Sequence, residues 1–171
     1  MLDKTQEYVL LGSCFSQYMG ERMESEGYHA LCNPVGTLFN PESIRNTVCH
    51  ALCGGAESLP MFHDQAMQEW RCWWANTRFR ADSEDEARAL VQEPFRALGD
   101  ALCHAGRLFL TLGTNVCYRL VQCTISGGQL SLRIVSMTPR EKKTVRSSLS
   151  LKNSLFLSAI VVLRLVKKSS L

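Results

Sequence analysis

The clearest pattern in the chain is a run of four apolar residues, Tyr8 to Leu11, that ends at Gly12 and hands over to a segment of different period. An uninterrupted apolar run bounded by glycine fits a strand buried on both faces, as in a parallel sheet. From Cys14 to Met23 the apolar positions Phe15, Met19 and Met23 recur at helical spacing. Ser13 is thereby placed at a strand-to-helix turn. Gly27 stops that helix, and Tyr28 to Cys32 offers a second short strand. Asn33, Pro34 and Gly36 then make a loop. Asn40 before Pro41 and Glu42 is a helix start, with a capping side chain, a ring-fixed first residue and an acid in the first turn. Gly54 and Gly55 close this helix, which runs from Pro41 to Cys53.

From 56 to 80 the pattern is irregular, with Trp70, Trp73 and Trp74 set among polar residues. Such a cluster serves either as a ligand wall or as the cover of a core edge, and the burial habits of large aromatics favour the cover. Ser83 with Glu86 three residues on is a capping box that opens a helical stretch to His104, in which Pro94 is expected to kink or divide the helix. Gly106 closes it. Arg107 to Leu112 reads as a buried strand ending in Gly113, Thr114 and Asn115, a second strand-end loop of the same design as Gly12 and Ser13. Val116 to Ile125 and Gln129 to Val135 have strand composition around Gly127 and Gly128, a hairpin signal. Ser154 to Lys167 reads as a last helix. Its apolar run, Leu155 to Val166, is about 12 residues interrupted by Arg164, short of the roughly 20 that span a bilayer, so no membrane span is expected.

At 171 residues the chain suits one domain with a core of its own. A net charge of +3 with 20% charged residues is too mild to imply a nucleic-acid partner. The basic excess lies between Arg133 and Lys168 and reads as a solvated face. Eight cysteines without a basic, apolar leader ahead of them read as free thiols in a reducing, cytoplasmic compartment. Cys49, His50 and Cys53 have conceivable ligand spacing, but no second pair completes four ligands, so no metal is expected. Neither G-x-G-x-x-G nor G-K-[ST] occurs, and no cofactor is expected.

Chemistry is expected at Ser13, because strand carboxyl ends face a crevice and a helix N-terminus aims unpaired N–H groups at developing negative charge. The competing role for Ser13 is to cap the helix, which serine does well. Three motifs bear on the choice: G-S-C-F-S at Gly12 to Ser16, N-P-V-G-T-L-F-N-P at Asn33 to Pro41, and L-T-L-G-T at Leu110 to Thr114. In this order they resemble the GSCFA family, which is similar to the wider SGNH (GDSL-like) hydrolases. The resemblance reaches to about Tyr118. It implies an α/β fold, a three-layer flavodoxin-like parallel sheet with helices on both faces, here incomplete because the family's members are longer. Residues 1–135 would form the GSCFA-like domain and 136–171 a divergent segment ending in the last helix. The resemblance also implies a serine esterase or acyl hydrolase acting on a small-molecule ester or an acylated glycan. Ser13 would be the nucleophile, and the oxyanion donors would be the N–H groups of Ser13 and Gly36 and the side chain of Asn115. Gly113-Thr114-Asn115 matches the G-x-N motif of such sites.

The base is where the chain departs from the pattern. A serine hydroxyl needs a base within hydrogen-bond reach. The histidine of an SGNH site comes late in the domain, whereas His29, His50, His63 and His104 all precede residue 105. The family's H-S-x-F segment is replaced by Asn76-Thr77-Arg78-Phe79, and its N-C-H-K segment is absent after the T-L-G-T loop. Thr138-Pro139-Arg140-Glu141 is similar to the family's S-P-V-R-H with Glu141 at the histidine, but a carboxylate with a pKa of about 4 matches a serine hydroxyl poorly. His63, the least helical of the four, is the remaining candidate. The expectation is an impaired hydrolase. Two alternatives stand beside it: a silent relative that binds a ligand in the crevice, and a truncated product without independent activity. Missing strands would leave a raw sheet edge that favours association.

Overall fold

The computed structural model describes residues 2–55, 58–114, 116–122, 132–137 and 159–164, with the backbone alone described beyond 116. Strand β1 (Glu7–Gly12) leads through Ser13 into α1 (Cys14–Ser25), and β2 (His29–Cys32) precedes α2 (Pro41–Cys53). Three short strands follow, β3 (Met61–Asp64), β4 (Glu69–Cys72) and β5 (Arg80–Ala81). Then come α3 (Glu84–His104), β6 (Arg107–Leu112), β7 (Cys117–Gln122), β8 (Leu132–Met137) and β9 (Ala159–Arg164). The main sheet has the order β2-β1-β6-β9, in which β2, β1 and β6 are parallel and β9 is antiparallel to β6.

Central position explains the apolar run of β1. Tyr8 and Leu10 point to one face and pack with Met23 of α1, while Val9 and Leu11 point to the other and pack with Leu98 and Leu102 of α3. Helices therefore cover both faces of an α/β sheet. A third core cluster joins α2 and α3 through Ile44, Val91 and Phe95, closed by Val35, Leu38, Leu59 and Cys72. Trp74 packs against this cluster and covers a core edge, while the half-buried Trp70 and Trp73 pack against His63 and Phe62 of β3.

The helix ends follow the capping chemistry in the sequence. Asn40 Oδ1 accepts from the Ser43 N–H at 2.8 Å with Pro41 in the first turn, and Ser83 Oγ accepts from the Glu86 N–H at 3.3 Å. Pro94 does not divide α3, which runs unbroken from Glu84 to His104. The buried stripe Ala87, Val91, Phe95, Leu98 and Leu102 continues across the proline and holds both halves to one surface. The Leu90 carbonyl that loses its helical donor belongs to a residue 50% exposed, where water can serve it.

Two expectations change in the second half of the chain. The stretch read as irregular carries, between Met61 and Ala81, three short strands that form an antiparallel sheet in the order β3-β4-β5. The helix expected over Ser154 to Lys167 is replaced, over Ala159–Arg164, by β9. Ile160, Val161 and Val162 are consecutive β-branched residues, stiff at χ1 and suited to a pleated surface. Their backbone pairs with the otherwise open edge of β6, with Arg107 opposite Arg164 and Leu112 opposite Ala159. The strands on either side of Gly127 and Gly128 do pair, as β7 with β8, from Cys117 opposite Met137 to Gln122 opposite Leu132. The glycines themselves, Glu141 and Asn115 lie outside the described residues.

Candidate functional site

Ser13 stands at the carboxyl end of β1 as the N-cap of α1, in extended conformation. Gly12 before it has φ 140°, and a Cβ there would lie 2.0 Å from the Thr111 carbonyl oxygen, so only glycine brings β1 this close to the end of β6. The Ser13 N–H donates to both Thr111 O at 3.1 Å and Thr111 Oγ1 at 3.0 Å. Ser13 Oγ accepts from the Phe15 N–H at 3.3 Å and shares a hydrogen bond with Thr111 Oγ1 at 3.0 Å. Ser16, one turn into α1 and fully buried, shares a third with Thr111 Oγ1 at 2.7 Å. Ser13 thus both caps the helix and heads a cluster of three hydroxyls. Thr111 and Ser16 escape sequence reasoning, although both lie inside the motifs that single out Ser13.

The loop after β2 is tied to the same turn. Asn33, buried with φ 42°, accepts the Gly12 N–H on Oδ1 at 2.9 Å and donates from Nδ2 to the Ser13 carbonyl at 3.4 Å. Leu38 N–H donates to Gly12 O at 2.7 Å, and the Gly113 and Thr114 N–H groups both donate to Phe39 O at 2.9 Å. The G-S-C-F-S, N-P-V-G-T and T-L-G-T segments therefore meet at one end of the sheet. Gly36 has φ 89° and its N–H donates to Asn33 O at 2.8 Å. Both described backbone donors proposed for an oxyanion, Ser13 and Gly36, already have acceptors inside the protein, and serving an oxyanion requires each to exchange one.

Asn76 is packed against this loop. A Cβ on Gly36 would lie 2.1 Å from the Asn76 Cβ. Asn76 N–H donates to Val35 O at 2.8 Å, Asn76 Nδ2 to Thr37 Oγ1 at 3.3 Å, and Arg78 Nη2 to Pro34 O at 3.2 Å. Asn76, the residue read from the resemblance as replacing a histidine, places beside the Gly36 loop an amide that does not titrate.

The four histidines lie elsewhere. His29 opens β2 opposite Glu7, and His104 ends α3 ahead of β6, its Nδ1 2.7 Å from Asp100 O. Both are at the amino end of parallel strands whose carboxyl end carries Ser13, roughly 16 Å away along a six-residue strand. His50, in the last turn of α2, sits between the rings of Trp74 and Phe95, and burial lowers its pKa. It faces inward while Cys49 and Cys53 are exposed, which separates the three residues of the conceivable metal cluster. His63 lies on β3 against Trp70, with ring centroids 5.3 Å apart. None of the four hydrogen-bonds to Ser13. A groove of about 550 Å³, lined in part by Glu7, Glu24, His29 and His104, opens at the amino end of the strands and is separate from the Ser13 turn.

A parallel α/β sheet with helices on both faces, carrying a serine at its first strand-to-helix turn against the end of its third strand, defines the class of protein. Within that class the GSCFA family model matches residues 7–130, and the chain belongs to the GSCFA family. No curated protein and no solved structure matches it. Among the described residues, no helix is long and apolar enough to cross a membrane.

Proposed function

We propose that this chain is an SGNH-type acyl hydrolase in which Ser13 is the nucleophile and the general base is missing, so that it turns esters over barely above background. The observation that carries the reading is the junction of the three family segments at Ser13 with no histidine bonded to it. Attack by Ser13 on an ester carbonyl needs a base to take its proton and donors to hold the oxyanion. Ser13 and Gly36 supply N–H groups once they exchange their present acceptors, and Asn115 is the proposed third donor. The substrate class that fits is a small ester or an acylated glycan, and the compartment that fits the free thiols is the cytoplasm. The occupied donors favour the second reading, a silent relative that binds such a ligand in the crevice.

Hydrolysis of p-nitrophenyl acetate separates the two ideas from an intact enzyme. Loss of a triad member leaves residual catalysis only, orders of magnitude below a complete site. The expected rate is barely above background and changes little in Ser13→Ala. Clear turnover abolished by both Ser13→Ala and His63→Ala would show a working base and refute the impairment.

A further inference from the structure

The three hydroxyls around Thr111 have only one arrangement of protons that satisfies the buried member. Ser16 is fully buried, and Thr111 Oγ1, 2.7 Å away, is the acceptor within reach of its hydroxyl among the described residues. A buried hydroxyl donor left unpaired costs about 1–3 kcal/mol. Ser16 therefore donates to Thr111. Thr111 Oγ1 also accepts the Ser13 N–H at 3.0 Å, which fills both of its lone pairs. Its own proton must then go to the remaining neighbour, Ser13 Oγ at 3.0 Å. Ser13 Oγ accepts that proton together with the Phe15 N–H, and its own O–H is left to point away from the cluster.

We infer that Ser16 and Thr111 are positioning residues that set the proton of Ser13. The relay Ser16 to Thr111 to Ser13 turns the Ser13 O–H outward and keeps two donors on its oxygen. Two consequences follow. The outward proton is the one that any base or ligand acceptor approaching the Ser13 turn meets. The two donors stabilise the oxygen once that proton leaves, because hydrogen bonds to a charged form favour it. The catalytic meaning of the relay rests on the reading of Ser13 as nucleophile, whereas the proton order does not.

Neutron diffraction from deuterium-exchanged crystals of the full chain reads the order directly. The expected map has the Ser16 deuteron toward Thr111, the Thr111 deuteron toward Ser13, and the Ser13 deuteron outside the cluster. A Ser13 deuteron aimed at Thr111 would overturn the inference. The kinetic arm measures the slow rate at which a fluorophosphonate labels Ser13 as pH is raised, with hydroxide standing in for the base that the site lacks. Thr111→Ser keeps the hydroxyl and is expected to label like the parent. Ser16→Ala releases the constraint on Thr111 and is expected to label roughly tenfold more slowly, the worth of about one hydrogen bond, with its pH profile displaced upward. A purely structural role for Ser16 would leave the pH profile in place and would refute the positioning role. No labelling of the parent chain, with the expected neutron map, would remove the nucleophile reading and leave the proton order standing.

Discussion

His50 is the residue whose environment most directly sets a measurable property. Its ring lies 5.2 Å from that of Trp74 and 5.0 Å from that of Phe95, with Ser58 Oγ 3.4 Å from Nδ1 as its polar neighbour. Desolvation at this place disfavours the imidazolium and lowers the pKa from 6.5. The unfolded chain, with the ordinary value, takes up the proton first as pH falls. The contribution of the neutral ring is therefore complete above about pH 6.5 and is lost as pH falls through the lower value of the folded state. The urea midpoint of the parent protein is expected to drop between about pH 7.5 and 5.5. His50→Leu, which keeps an apolar side chain in the same place, is expected to flatten that slope. Equal slopes for the two proteins would show that His50 does not control it.

At the scale of elements, the β3-β4 hairpin carries a conflict that Arg71 resolves. The register sets Asp64 directly opposite Glu69, a like-charge pair that destabilises a sheet when left alone. Arg71 bridges them, with Nη1 3.1 Å from Asp64 Oδ2 and Nη2 3.0 Å from Glu69 Oε2, its side chain only 14% exposed. Its buried Nε has no hydrogen-bond partner among the described residues, so the carboxylates account for its placement. Arg71→Leu leaves two facing carboxylates partly screened by solvent, and a loss of about 1–2 kcal/mol is expected from equilibrium denaturation. The loss should shrink in 1 M salt, where the Debye length is about 3 Å; a salt-independent loss would assign it to packing instead. This hairpin also shows what the sequence hides. The helices were legible because Asn40 and Ser83 cap them locally, and β1 because it is buried on both faces. The short strands β3 and β4 carry Asp64, Glu69 and Arg71 at positions whose logic exists only once the register is formed. The hydroxyl cluster is hidden for the same reason, since Ser16 and Thr111 are 95 residues apart and meet only in the folded sheet. Asn76 was legible as a departure from a motif, but its place against Gly36 was not.

For the molecule as a whole, the boundary of the main sheet is decided by β9. Strand β6 is paired with β1 on one side, and on the other it would present the unpaired backbone of Arg107–Leu112, a sequence rich in leucine and phenylalanine. An exposed apolar edge of that kind is a template for pairing with another chain. Ala159–Arg164, within the apolar run read from the sequence as a helix, serves instead as a cover for this edge, in continuous register from Leu112 to Arg107. A short apolar run is ambiguous between helix and strand by periodicity alone, and the free edge of β6 together with three consecutive β-branched residues decides the outcome. The cover is expected to matter for association as well as stability. A chain ending at residue 158 should elute from size exclusion as a mixture that grows with concentration, and its denaturant midpoint should fall. Restoring a polar edge with Leu108→Lys would not separate the two effects, because Leu108 is buried in the core beneath α3. Replacing both Val161 and Val162 by proline in the full chain is the sharper test, because successive N–H groups of a strand point to opposite sides, so one of the two faces β6 opposite Leu110 or Phe109 and is lost without shortening the protein. If this double variant and the shortened chain both remain as monomeric and as stable as the parent, β9 is not what protects the edge of β6.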